Sequence, residues 1–155
     1  MLGGPLLLAF TGALVALHGL RAECLTPDGI RERVAQLRLA ATAMAILAWA
    51  TVLTGTWVLL PWYREDSPAS PQSQLLSNPD TRLWHEFADV WKTHVAHMAP
   101  LFATAAAVLV LHYGASLARD RTARNVVLAL FLAAFAVTGI AALIGSLVTR
   151  AAPIR

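Results

Sequence analysis

The stretch Trp84-His85-Glu86-Phe87-Ala88-Asp89-Val90-Trp91-Lys92-Thr93-His94-Val95-Ala96-His97 holds three of the chain's five histidines, with two acids and a lysine among them. It runs through Met98-Ala99-Pro100 into a segment that stays almost wholly apolar as far as Ala118. A polar porch fused to an apolar run is the pattern of a membrane-crossing helix with titratable groups at the surface. Leu83, Trp84, Phe87, Val90 and Trp91 recur at three- and four-residue spacing. That spacing predicts a short amphipathic helix lying on the outer membrane surface and continuing, or bending, into the span. Pro100 falls in the first turns of that span, where a missing N–H costs least.

Working outward, the composition agrees. The chain has 155 residues, 57% hydrophobic and 14% charged, with a mean hydropathy of +0.60. A soluble domain carries about a quarter charged residues, so this chain is short of groups to face water. Its length fits one domain and leaves nothing over for a second folded unit beside a membrane bundle. The net charge of +3 reports orientation in such a protein, and nucleic acid is not needed as a partner. Abundant alanine and a preference for arginine over lysine suit a bacterial chain. Cys24, the single cysteine, has no partner for an internal disulfide and reads as an inert thiol in a cytoplasmic loop.

Three more apolar runs complete the layout. Met1 to Leu20 carries no charge, and the first basic residue, Arg21, comes after it. That is a retained helix with its N-terminus outside, since a secretory signal places its basic residues first. Leu39 to Leu60 ends at Pro61-Trp62-Tyr63-Arg64, where the proline marks the exit from helix and the Trp–Tyr pair suits the headgroup zone. Asn125 to Val148 follows the basic turn Arg119 to Arg124. In the basic loop Arg21 to Arg38, Thr26 is placed to cap a short amphipathic helix with Pro27 at its first position.

The expected fold is therefore all-α: an integral membrane four-helix bundle forming a single domain over 1–155. Its spans are about 2–20, 39–60, 93–118 and 125–148, with an outer loop at 61–92 that contains the surface helix. No sheet is expected, because open sheet edges do not survive in lipid. The two inner loops, 21–38 and 119–124, hold seven of the twelve Lys/Arg. The positive-inside rule then places both termini outside the cytoplasm, in the cell inner membrane.

Histidine in such a chain needs a chemical reason. His18 and His112 each lie close to the inner end of a span, on helices of opposite direction. Two imidazoles facing each other at one depth are what a six-coordinate haem b requires, and Gly19 and Gly114 would leave room for the macrocycle. His94 and His112 are eighteen residues apart, five whole helical turns and about 27 Å, so an unbroken helix would place them on one face. At the outer end, His85, Glu86, Asp89, His94 and His97 offer imidazole and carboxylate ligands to a transition metal. The same cluster could hydrogen-bond a quinone headgroup. It could equally be a solvated interface that fixes the surface helix. No nucleotide or hydrolase motif and no internal repeat accompanies them.

The segments Thr54 to Arg64, Trp84-His85-Glu86-Phe87 and Trp91 to Ala96 resemble parts of small bacterial four-span membrane proteins of unassigned activity. The layout is also similar to four-helix b-type cytochrome subunits of respiratory complexes, by architecture and histidine placement. That likeness implies a small, non-catalytic membrane subunit of an electron-transfer complex, respiratory or photosynthetic, with one haem b on His18 and His112. Two alternatives stand beside it. One is a cofactor-free structural or assembly subunit packed against larger membrane proteins. The other is a metal-binding membrane protein using His85, Glu86, His94 and His97.

Overall fold

The computed structural model describes residues 3–20, 25–68, 70–77 and 79–151. Arg21, Cys24 and the end of the C-terminal tail lie outside them. Within the described residues the chain is all-helical apart from short turns and has no strand. The elements are α1 (Gly3–His18), α2 (Pro27–Thr54), α3 (Leu60–Tyr63), α4 (Pro71–Ser77), α5 (Pro79–Val90), α6 (Met98–Tyr113) and α7 (Arg121–Ala151). A π-helical turn, Gly55–Leu59, joins α2 to α3, and a second, Trp91–Val95, follows α5. A 3-10 turn, Gly114–Ala118, extends α6.

Three of the resulting helices are long and apolar enough to cross a membrane: Pro27–Tyr63, Met98–Ala118 and Arg121–Leu147. Helix α1 is also apolar, but its 16 residues reach only about 24 Å. The chain order α1, α2, α6, α7 is also the packing order: α1 lies on α2, α2 on α6, α6 on α7, and α7 returns to α1. Helices α1 and α6 thus stand diagonally. One core runs between the four, built from Leu6, Phe10, Leu17, Leu37, Met44, Val110, Val127 and Phe131, with alanines such as Ala13, Ala41, Ala103 and Ala106 where the backbones come close. Lipid is as apolar as leucine, so small residues and close van der Waals packing hold such helices together. Phe10 meets Phe135 edge-on, 5.4 Å between centroids, across the α1–α7 contact. Trp49 Nε1 donates to Thr104 Oγ1 at 3.0 Å, while that hydroxyl donates to the Pro100 carbonyl at 2.7 Å.

Helix starts follow the side chains. Thr26 caps α2, accepting from the Gly29 N–H at 3.2 Å, and Pro27 follows as anticipated. Ser70 does the same for α4 through Ser73, and Asp120 for α7 through Ala123. Helix α2 differs from expectation in length. It is no separate amphipathic piece: it runs unbroken from Pro27 through the second apolar run. Nor does Pro61 end it. Pro61 has no N–H for the Trp57 carbonyl, and its ring crowds that carbonyl. The π turn Gly55–Leu59 widens the helix just ahead of the proline, with the Leu60 N–H reaching back to the Gly55 carbonyl, and helix continues to Tyr63. A second π turn, Trp91–Val95, lies further ahead of Pro100: the Ala96 N–H reaches the Trp91 carbonyl at 3.0 Å, and α6 starts two residues later. The porch helix therefore bends into the next helix through a π turn.

Three residues of the apolar stripe of α5 do not pack on the protein. Leu83 is 75% exposed, and Phe87 and Val90 are also exposed. A helix that turns such a stripe outward is suited to lie on a lipid surface.

Candidate functional site

At one end of the bundle the helix termini are tied by arginine. Arg38 Nη2 donates to the Leu111 carbonyl in the last turn of α6 at 3.3 Å. Arg124 Nη1 is shared between the carbonyls of Leu20, Leu117 and Ala118 at 3.4, 3.2 and 3.3 Å. Carbonyls at a helix C-terminus have no partner within the helix, and they carry the negative end of its dipole. Cationic side chains from neighbouring helices therefore suit them. The two glycines beside the histidines serve this arrangement. A Cβ on Gly114 would sit 2.6 Å from Arg38 Nη2, and one on Gly19 would sit 3.1 Å from Arg33 Nη1. Gly114 also has φ +48°, a region that other residues rarely enter. The space they leave is filled by guanidinium groups.

His18 and His112 are both at this end, but the structure does not bring them together. They belong to diagonal helices, and both side chains are exposed. His112 lies edge-on to its neighbour Tyr113. Between them the interior is closed by Leu17, Leu20, Leu37, Val110 and Leu117, none more than 2% exposed. Outward imidazoles and a filled interior do not fit a haem held inside the bundle.

The opposite end is built differently. Tyr63 closes the long second helix and His85 projects from α5; both are 9% exposed. The phenol oxygen and Nδ1 of the imidazole are 2.6 Å apart, with the two rings 5.9 Å apart and nearly parallel. If the phenol donates to Nδ1, the imidazole carries its own proton on Nε2; if Nδ1 donates, Nε2 is an acceptor. A second link lies beside it: Nη2 of Arg64, just past the helix end, meets Oδ1 of Asp89, one turn after His85 on α5, at 2.7 Å. Tyr63 also packs with Leu75, Ile144 and the partly buried Trp91, whose Nε1 is buried and meets no acceptor among the described residues. Both π turns adjoin this cluster, and π turns are frequent at functional sites.

The proposed metal ligands separate here. His85 turns inward to Tyr63, while Glu86, the adjacent residue, turns outward to Arg82 at 3.2 Å. His94 is exposed, its Nδ1 3.2 Å from the Val90 carbonyl, and His97 is exposed beyond the bend. Among the described residues no three His, Cys, Asp or Glu side chains converge. The five-turn relation between His94 and His112 does not hold either. A π turn and a bend at 96–97 intervene, so an α-helical count does not connect them.

Tyr63 and Arg64 were not singled out by their chemistry in the sequence, and Asp89 was singled out only as a metal ligand. A usable signal was present: an adjacent Tyr-Arg pair at a helix end, and His85 and Asp89 four apart on one helix face. No protein-family model matches the chain, and comparison with curated proteins and with solved structures gives no match.

Proposed function

We propose that this chain is an integral membrane subunit that crosses the bilayer four times and serves a structural or assembly role beside larger membrane proteins. The observation that carries this reading is the closed interior: leucine, valine and alanine side chains fill the space between the helices, and the inner-end histidines face outward. Work of such a molecule is done on its outer faces. Gly12, Gly139 and Gly145 support the point, since a Cβ on any of them would meet nothing within 4 Å. Among the described residues nothing covers the open side of those glycines, which admits a neighbouring helix closely. Helix α1 serves as the fourth crossing. Its shortfall of a few Å against a hydrocarbon layer of about 30 Å is of a size that local thinning absorbs. The arginine end faces the cytoplasm in this reading, with both termini outside.

The test is purification of the tagged chain in mild detergent. The expected result is stoichiometric recovery of larger membrane proteins, weakened by Gly139→Leu without a change in the melting temperature of the isolated chain. A haem band in the dithionite-reduced spectrum, lost in His18→Ala or His112→Ala, would overturn the reading.

The Tyr63–His85 bond favours a second reading, an electron-transfer subunit with a quinone at the outer end. A short phenol–imidazole hydrogen bond can pass a proton, which quinone chemistry demands. Ubiquinone analogues would then compete for a site lost in His85→Leu. Equal binding to wild type and variant removes this reading.

A further inference from the structure

Two shallow depressions adjoin on the seam between α1 and α2 at the arginine end. The first, about 520 Å³, is walled by Leu14, Val15 and Leu128, with His18, Gly19 and Arg33 at its polar side. The second, about 360 Å³, continues along the seam past Gly12, Ala16 and Ala40. Val15 and Arg33 border both, so the two form one groove.

Arg33 differs from Arg31, Arg38 and Arg124 at this end. Arg31 pairs with Asp28, Arg38 with a carbonyl of α6, and Arg124 with three carbonyls. Arg33 lies half-buried over Gly19, and among the described residues no carboxylate reaches it. A guanidinium has five N–H donors in a planar fork that matches a phosphate. Half-buried and with no carboxylate partner among the described residues, it pays for desolvation with little return. His18, exposed beside it, adds an imidazole N–H. From this polar mouth the groove runs from His18 to Thr11 on α1, about 10 Å toward the bilayer centre, with mainly apolar and glycine walls, Gln36 and Thr11 being the polar members.

We infer that this groove binds an anionic phospholipid, its phosphate on Arg33 and His18 and one acyl chain along Val15, Gly12 and Ala40. Charge complementarity selects the anionic headgroup, and the apolar continuation selects an amphiphile over a soluble anion. Basic pockets between helices on the cytoplasmic side hold lipid headgroups by this same chemistry. The inference rests on the chain's residence in a bilayer and needs no protein partner.

The experiment uses the full chain in neutral detergent, titrated with phosphatidylglycerol, phosphatidylcholine or inorganic phosphate. Bound lipid is read by native mass spectrometry, and melting by tryptophan fluorescence. Phosphatidylglycerol is expected to bind and raise the melting temperature, with phosphatidylcholine and phosphate far weaker. Arg33→Gln should weaken phosphatidylglycerol about tenfold, the scale of a lost charge-assisted hydrogen bond. Gly12→Leu fills the acyl path while leaving Arg33 in place, in space that is empty in the isolated chain, and should weaken it too. Arg82→Gln, at the opposite end, should not. Equal binding by Arg33→Gln and wild type, equal protection by phosphatidylcholine, or full protection by phosphate alone would each overturn the inference. Alkaline carbonate extraction keeps the two ideas apart. A chain that resists extraction but ignores phosphatidylglycerol defeats the lipid site only; a chain that is extracted defeats the membrane reading itself.

Discussion

The two ends of the bundle solve one problem, fastening helix termini, with opposite materials. At the arginine end a side chain meets the backbone: Arg38 and Arg124 hold carbonyls of Leu111, Leu20, Leu117 and Ala118. At the aromatic end side chain meets side chain: Tyr63 with His85, and Arg64 with Asp89. A carbonyl is present whatever the residue, so the first arrangement specifies only the arginine and the glycine that admits it. The second specifies both partners, and loss of Tyr63 or His85 strands the other in a buried place.

The sharpest way to break this contrast is Gly114→Ala. It forces a Cβ into a positive-φ position and against Arg38, and should cost about 1–3 kcal/mol in reversible unfolding followed by circular dichroism. Adding Arg38→Ala should then cost little more, because the guanidinium is already displaced. Next comes Tyr63→Phe, which leaves His85 buried without its partner; about 1–2 kcal/mol is expected. A double-mutant cycle with His85→Phe should return a coupling of about 1 kcal/mol, and a coupling near zero would make the two ends equivalent. Arg124→Ala should cost about 1 kcal/mol. Its bonds are long, and a single nitrogen serves three acceptors. The smallest effect belongs to Arg64→Ala, at most about 0.5–1 kcal/mol and screened by salt, since the side chains of that pair are 45% and 36% exposed.

Much of the fold is written in hydropathy. The runs Leu39 to Leu60 and Asn125 to Val148 have no other way to be satisfied than as long apolar helices, and the structure contains both within longer helices. The stripe Leu83, Phe87, Val90 announced an amphipathic helix, and Thr26-Pro27 its own helix start. The histidines were less legible for a stated reason. Projecting His94 onto His112 assumes an unbroken α-helix, and Pro100 is preceded by a π turn that breaks the count. Gly19 and Gly114 were correctly sensed as making room, but nothing in a one-dimensional string says that arginines 14 and 76 residues away, Arg33 and Arg38, take that room. The Tyr63–His85 pair spans a loop of irregular length, so periodicity could not find it.

The π turn ahead of Pro61 has one more effect. It inserts one residue beyond the α-helical complement, and a residue is worth about 100° of rotation. Tyr63 faces His85 because of that phase. Deleting any one residue between Gly55 and Leu59 would restore a smooth spiral and swing the phenol a quarter-turn or more off its imidazole, although every hydrophobic side chain remained in the membrane. The second helix is thus measured in angle as well as in length.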